Sequence, residues 1–212
     1  MTTDREEAGK KAFEFAETLW TKGDFWELET SEYERARYAR TIEVLQGARF
    51  ARGLELGCGA GHFTRLLAPR VDRLVAFDIS PAAIARARAA AGGGEAIDFR
   101  AGNVMDYAWR AEAPWDLIVM NDTICYLGWL YSFFDIAWLA SELHGAIRPG
   151  GRFLMANTMD LQGYDKLLLP HITRSYRDVA LNVGFVLDRE ETIRGTKNGV
   201  EFETLISLFA RG

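Results

Sequence analysis

The sequence predicts an α/β fold built on a mostly parallel sheet, and three observations carry that prediction. Residues 50–78 read as strand, glycine turn, helix, strand and acid. An apolar run at Phe50–Leu56 leads into Gly57, Gly59 and Gly61, then a helical spacing of Phe63, Leu66 and Leu67, then a second apolar run at 74–77 that ends at Asp78. Further apolar runs of strand length, at 96–100, 115–120 and 152–158, alternate with helical segments, as parallel β-α units require. Near the end of the chain, Asn198-Gly199 sits between two alternating runs, a strong hairpin signal that closes the sheet with an antiparallel pair.

The first turn carries the chemistry. From Glu55 it reads E-x-G-x-G-x-G. Glycines let a chain turn tightly and bring its backbone against a ligand, because no Cβ intervenes. An acid ending the second strand, here Asp78, lies where a nucleoside ribose sits in such units, and its carboxylate can accept from both hydroxyls. The dinucleotide fingerprint is G-x-G-x-x-G, with a pyrophosphate at the helix N-terminus. In this chain the third glycine comes one position early and Glu55 precedes the first. The stretch resembles the first motif of the class I methyltransferases that use S-adenosylmethionine. The resemblance implies a Rossmann-like class I methyltransferase fold: a seven-stranded, mostly parallel sheet with a terminal antiparallel hairpin and an N-terminal helical cap. It places Glu55, Gly57, Gly59, Gly61, Asp78 and the adjoining Ile79 at the cofactor.

Bulk properties bound the partners. The 212 residues suit one large domain, with 1–47 as cap and 48–212 as core. Hydrophobic residues at 49% and charged residues at 26% are ordinary for a soluble globular protein. A net charge of −5 argues against general affinity for nucleic acid. The start, MTTDREEAGKK, has no apolar core of a signal peptide, and no apolar run approaches the roughly 20 residues that span a bilayer. Asp135 interrupts the greasiest stretch, 124–139. Two cysteines, Cys58 and Cys125, fall in different strand-end loops, which suits a reduced, cytoplasmic setting. No carboxylate–histidine cluster suggests a metal. The expected partner is a small-molecule acceptor; the oligomeric state stays open.

Each element follows in order. Residues 5–20 form a helix with Phe13, Ala16, Leu19 and Trp20 on its apolar face, broken at Gly23-Asp24. Thr30 or Ser31 caps a second helix that Gly47 ends. In class I enzymes such leading helices often close over the cofactor, which assigns Arg37 to the carboxylate of the methionine moiety and Trp26 to packing on cofactor or substrate. Ser80 caps, and Pro81 starts, an alanine-rich helix to Ala90. After the strand at 96–100 comes Asn103, where many members of the class carry an Asp that accepts from the adenine amine; the amide oxygen of Asn can still accept. The backbone N–H of Val104 is placed at an adenine ring nitrogen. Asp106 reads as a turn residue. The fourth strand, 115–120, delivers Asn121 and Asp122 to the crevice beyond the strand ends. The tetrapeptide there is not N/D-P-P-Y/F, which counts against nucleic-acid amines as acceptors. A helix over 131–147 ends at RPGG, where Pro149 stops it and the glycines turn the chain; His144 on it reads as structural. Residues 160–172 are irregular and suit an acceptor pocket, with Asp160, Tyr164 and His171 as its polar or aromatic members. A helix from about Thr173 to Asn182 precedes the hairpin.

The segment from Asp24 to Leu45 sharpens the resemblance. Its Trp26, Thr30, Ser31, Tyr33 and Glu34, in the pattern W-x-x-x-T-S-x-Y-E, together with the glycine motif, resemble the NodS-type methyltransferases. In the rhizobial member the acceptor is an amino group of a chitooligosaccharide precursor. The family usually carries an acid in the loop after strand four, and Asp122 occupies that place. The resemblance implies methyl transfer to an amine of a small polar molecule, a sugar or amino sugar. His171 is the base expected from its near-neutral reference pKa, and Asp122 orients the acceptor. An O-methyltransferase acting on a sugar or phenol, with Trp26, Tyr126, Trp129, Tyr131 and Tyr164 as stacking rings, is the competing enzyme reading. A cofactor-binding protein without catalysis would also keep the glycine and acid motifs. A nicotinamide oxidoreductase would share the strand–turn–helix unit, but the glycine spacing and the terminal hairpin argue against it.

Overall fold

The computed structural model describes residues 2–92, 97–106 and 111–212. Two helices, α1 (Thr2–Thr21) and α2 (Glu32–Glu43), precede the first strand, β1 (Phe50–Leu56). Then follow α3 (His62–Leu67), β2 (Val71–Asp78), α4 (Pro81–Ala90), β3 (Ile97–Ala101), β4 (Trp115–Asn121), α5 (Ile124–Leu130), α6 (Phe133–Ala146), β5 (Ile147–Asp160), α7 (Pro170–Asn182), β6 (Phe185–Lys197) and β7 (Val200–Arg211). The strands form one seven-stranded sheet in the order β3-β2-β1-β4-β5-β7-β6. All neighbouring pairs from β3 to β5 are parallel, and β7 runs antiparallel to both β5 and β6. This is the Rossmann-like architecture that the sequence predicts.

The sheet buries both faces, which is why β1, β2 and β4 read as near-continuous apolar runs. On β4, Ile118 and Met120 join one core with Leu54, Leu56 and the inner residues of α6. Leu117 and Val119 face the other way, into a second core with Leu74, Phe63 and Leu67. The chain adds β2 and β3 on one side of β1, and β4 and β5 on the other. The crevice outside the C-terminal ends of β1 and β4 is therefore a topological switch point, where such sheets bind ligands.

Several boundaries differ from expectation. Ser31, rather than Thr30, caps α2, its Oγ accepting from Glu34 N at 3.4 Å. The strand read at 74–77 begins at Val71. The third strand begins at Ile97; Ala96, its expected first residue, lies outside the described residues, as do Gly93, Gly94 and Tyr107. The single helix read over 131–147 starts at Phe133, because Ser132 and Asp135 form a reciprocal capping box. A separate short helix, α5, occupies what reads as the loop after strand four. The RPGG segment turns the chain inside the strand run: the register passes from Trp115↔Ile147 to Leu117↔Arg152, and Gly150 takes φ +73°. The last helix begins at Pro170, where proline suits the first turn, and not near Thr173. The hairpin is as expected: Lys197 pairs with Val200, and Asn198 and Gly199 both have positive φ, 52° and 78°. No helix among the described residues is long and apolar enough to cross a membrane.

Candidate active site

A cavity of about 760 Å³ opens at the C-terminal ends of β1, β2 and β4, roofed by α1, α2 and the turn between them. Its floor starts with the glycine turn. Gly57 N and Cys58 N both donate to Phe77 O (2.7 and 2.9 Å), which ties the turn to the end of β2. Gly57 has φ +77°, and a Cβ there would stand 2.2 Å from Thr123 Oγ1, so glycine lets the loop after β4 close on the turn. Gly59 has φ +52°, and its missing Cβ leaves room for the Trp20 ring of α1, 2.4 Å from where that carbon would be. Asp78 is buried beside the turn. Its Oδ2 accepts from Gly59 N (2.8 Å) and its Oδ1 from Ser80 N (2.9 Å). Burial pushes its carboxyl up to about 6, against the opposing pull of those two N–H groups.

Charged residues gather at the other end. Asp122, at φ +51°, accepts from Thr158 N through Oδ1 (2.7 Å) and pairs with Arg37 Nη2 through Oδ2 (2.6 Å). Arg37 is buried. Its Nε and Nη2 bind Glu34 Oε2 at 2.6 and 2.5 Å, and its Nη1 donates to Asn121 Oδ1 at 3.4 Å. Burial alone would lower the guanidinium pKa, but Asp122, the Tyr38 phenol and Glu34 raise it above its ordinary value. Glu34 Oε1 in turn pairs with Lys197 Nζ (2.9 Å) at the tip of the hairpin, and Lys197 also donates to Trp26 O. Trp26 Nε1 donates to Tyr126 Oη (3.0 Å).

Ten of the thirteen residues expected at the site line this cavity: Trp26, Arg37, Gly57, Gly59, Asp78, Ile79, Asn103, Val104, Asn121 and Asp122. Asn103 is held by Tyr131, to which its Nδ2 donates (2.8 Å), and its Oδ1 accepts from Met105 N (3.0 Å). Three stand elsewhere. Glu55 is buried beneath the turn, since a side chain from β1 two residues before Gly57 points into the helix–sheet interface; its Oε2 has no hydrogen bond. Gly61 faces α4, where a Cβ would meet Ala87 Cβ at 3.1 Å, so it serves helix–sheet packing. His171 requires correction as the base: α7 starts at Pro170 and puts it on an exposed first turn, outside the cavity lining.

Sequence reasoning missed Trp20 as a wall of the site, Glu34 as the partner of both Arg37 and Lys197, and Asp165 in the lining. Trp20 reads as an ordinary apolar-face residue, and the Lys197–Glu34 and Arg37–Asp122 pairs join residues far apart in the chain. The W-x-x-x-T-S-x-Y-E segment held a usable signal for Glu34, which lies three residues before Arg37 and so one helical turn away.

A sequence model of the NodS family, described as nodulation protein S, matches residues 14–151, well over half of the chain. Nodulation protein S of Rhizobium tropici is 33% identical over 142 residues, which cover 65% of this chain and 56% of that protein. Nodulation protein S of Bradyrhizobium diazoefficiens is 34% identical over 126 residues, 59% of this chain and 54% of that protein. The chain thus spans about half the length of the curated relatives it matches. The crystal structure of the N-methyltransferase NodS from Bradyrhizobium japonicum WM9 in complex with S-adenosylhomocysteine shares the fold, with a TM-score of 0.81 at 21% identity, covering 94% of this chain and 98% of that chain.

Proposed function

The chain belongs to the NodS family, and from that premise we propose that it is an S-adenosylmethionine-dependent methyltransferase acting on an amine of a small polar acceptor, a sugar or amino sugar. The observation that carries the reading is the glycine turn set against buried Asp78 on the floor of the cavity. The residues present fit that cofactor. The cavity has the size of a small-molecule site, and it runs continuously from Asn103 and Val104, past Asp78, to Asn121 and Arg37. Those three stations suit an adenine, a ribose and an amino-acid end.

When bound, S-adenosylmethionine supplies a methyl carbon on a positively charged sulfur, which departs with the bonding pair. The chain's part is to bind, orient and exclude water. Asp78 accepts from ribose hydroxyls through the lone pairs left by its two backbone N–H partners. Arg37 keeps Nη1, its most loosely held edge at 3.4 Å from Asn121, for the cofactor carboxylate. Asp122 is a positioning residue: with Arg37 on one oxygen and Thr158 N on the other, it fixes the loop after β4 and keeps its charge in place. Trp20 and Trp26, with ring centroids 5.0 Å apart, shield the transfer from water. Holding the amine lone pair in line with the methyl group supplies much of the rate through proximity.

Calorimetric titration with S-adenosylmethionine and S-adenosylhomocysteine, beside Asp78→Asn, tests the reading. Micromolar binding by the wild type and at least a tenfold loss in the variant are expected. Because the carboxyl pKa stands at about 6, wild-type affinity should also weaken as the pH falls below that value and Asp78 takes up a proton. A wild type that binds neither ligand would overturn the proposal.

A further inference from the structure

The turn between β5 and α7 is organised by one carboxylate and presents another. Asp160, the last residue of β5, accepts from Gln162 N (2.8 Å) and Gly163 N (3.1 Å) through Oδ1, and from Asp165 N (2.7 Å) through Oδ2. Burial alone would raise its pKa, but these N–H groups hold it below the ordinary carboxylate range. Asp160 is thereby committed to the fold. Asp165 stands at the far end of the same turn. Its carbonyl accepts from Leu168 N (3.1 Å) and its Oδ1 from Leu167 N (2.9 Å), so both backbone and side chain are fixed. Its Oδ2 has no hydrogen-bond partner among the described residues.

The other acids around the cavity are already engaged. Asp78 holds two backbone N–H groups, Asp122 holds Arg37 and Thr158 N, Glu34 lies between Arg37 and Lys197, and Glu27 accepts from Asn198 Nδ2 at 2.8 Å. Asp165 lies near the first turn of α5: burial is the main cause of the raised pKa values of Cys125 and Tyr126, and the Asp165 charge is a smaller contributor to each. Next to it, the Tyr164 ring also lines the cavity yet is 77% exposed, an aromatic face with no packing duty at the mouth. Both residues lie beyond residues 14–151, the span that the family model matches.

We propose that Asp165 is the specificity-determining residue for the acceptor: its open oxygen takes the protonated amine while the Tyr164 ring receives the body of the molecule, so amines are chosen over alcohols. The inference rests on the methyltransferase reading. A carboxylate can hold an ammonium by a charge-assisted hydrogen bond, which a neutral hydroxyl cannot match. The amine then gives its proton to water through the open mouth, and the freed lone pair would form the new N–C bond as the methyl carbon–sulfur bond of the cofactor breaks and its electron pair stays on sulfur.

Asp165→Asn removes the charge and keeps an oxygen for Leu167 N, so the turn retains its cap. Its affinity for S-adenosylhomocysteine, measured calorimetrically, should stay within about twofold of wild type. With glucosamine tetramer as acceptor, its KM should rise about tenfold while kcat changes little, and the salt dependence of kcat/KM should flatten. Asp165→Glu should recover part of the loss. A wild type that binds no S-adenosylhomocysteine overturns the methyltransferase reading and this inference together. A wild type that binds it but methylates no amine overturns the amine acceptor of that reading together with this inference, whereas an Asp165→Asn protein with unchanged KM beside a wild type that methylates the amine overturns this inference alone.

Discussion

Glu55 shows how one residue couples motif to stability. It is 1% exposed, and burial pushes its carboxyl up from 4.5 to about 7, with the nearby Asp78 charge adding to the effect. The folded state therefore holds this proton more tightly than the unfolded chain does. The group contributes stability below pH 4.5, and that contribution is lost as the pH rises through 7. At about 1.4 kcal/mol per pKa unit, the swing is bounded at about 3 kcal/mol. Glu55→Gln should flatten the pH dependence of unfolding free energy between about pH 5 and 8, read from urea titrations across that range. A variant whose slope matches wild type would show that Glu55 keeps its charge when folded.

At the scale of elements, the docking of α1 decides whether the strand-end crevice becomes a cavity. The helix is fastened near its start by Arg5, whose Nη2 pairs with Asp135 Oδ1 at 2.7 Å, and again in its C-terminal half. Glu17 Oε2 accepts from Ser80 Oγ at 2.5 Å and from Ala82 N at 3.2 Å, at the N-terminus of α4, where a carboxylate also meets the positive end of the helix dipole. Three residues later, Trp20 packs on Gly59. Glu17→Ala should cost about 1–2 kcal/mol and speed hydrogen exchange in α1 while β1 and β4 keep their protection. The same variant should bind S-adenosylhomocysteine more weakly, since α1 walls the site. Unchanged exchange in α1 would mean that its apolar face suffices to hold it.

Over the whole molecule, the ion pairs of Lys197, Glu34, Arg37 and Asp122 join three distant parts of the chain: the hairpin tip, the leading helices and the loop after β4. Glu34 stands between two cations, so removing its charge leaves Arg37 and Lys197 facing each other with Asp122 as the remaining anion. Breaking such a buried network costs about 3–5 kcal/mol, because a charge is left uncompensated away from water. Glu34→Gln should accordingly lower the thermal midpoint sharply, by more than the loss of an exposed pair such as Arg49–Asp72, where side chains are 67% and 59% exposed. Calorimetric melts of Glu34→Gln and Asp72→Asn side by side make the comparison.

Neighbouring residues suffice to specify the sheet, its parallel core, the terminal hairpin, the glycine turn and Asp78. Each is written in local pattern: apolar period, turn chemistry at Asn198-Gly199, and a glycine spacing that a backbone must follow. Asn121 and Asp122 are legible for the same reason, since a strand end dictates where the next two residues go. Which groups meet across the chain is settled only on folding. Lys197 and Glu34 are 163 positions apart, and no periodicity pairs them. Folding also turns Glu55 and Gly61 from the ligand side to the packing side, and sets His171 on an exposed helical turn once Pro170 begins α7. It passes the open carboxylate of the loop after β5 from Asp160 to Asp165, because Asp160 is consumed by the backbone N–H groups of its own turn. Local pattern dictates where a side chain is attached; its partners, and so its chemistry, depend on what the folded chain brings against it.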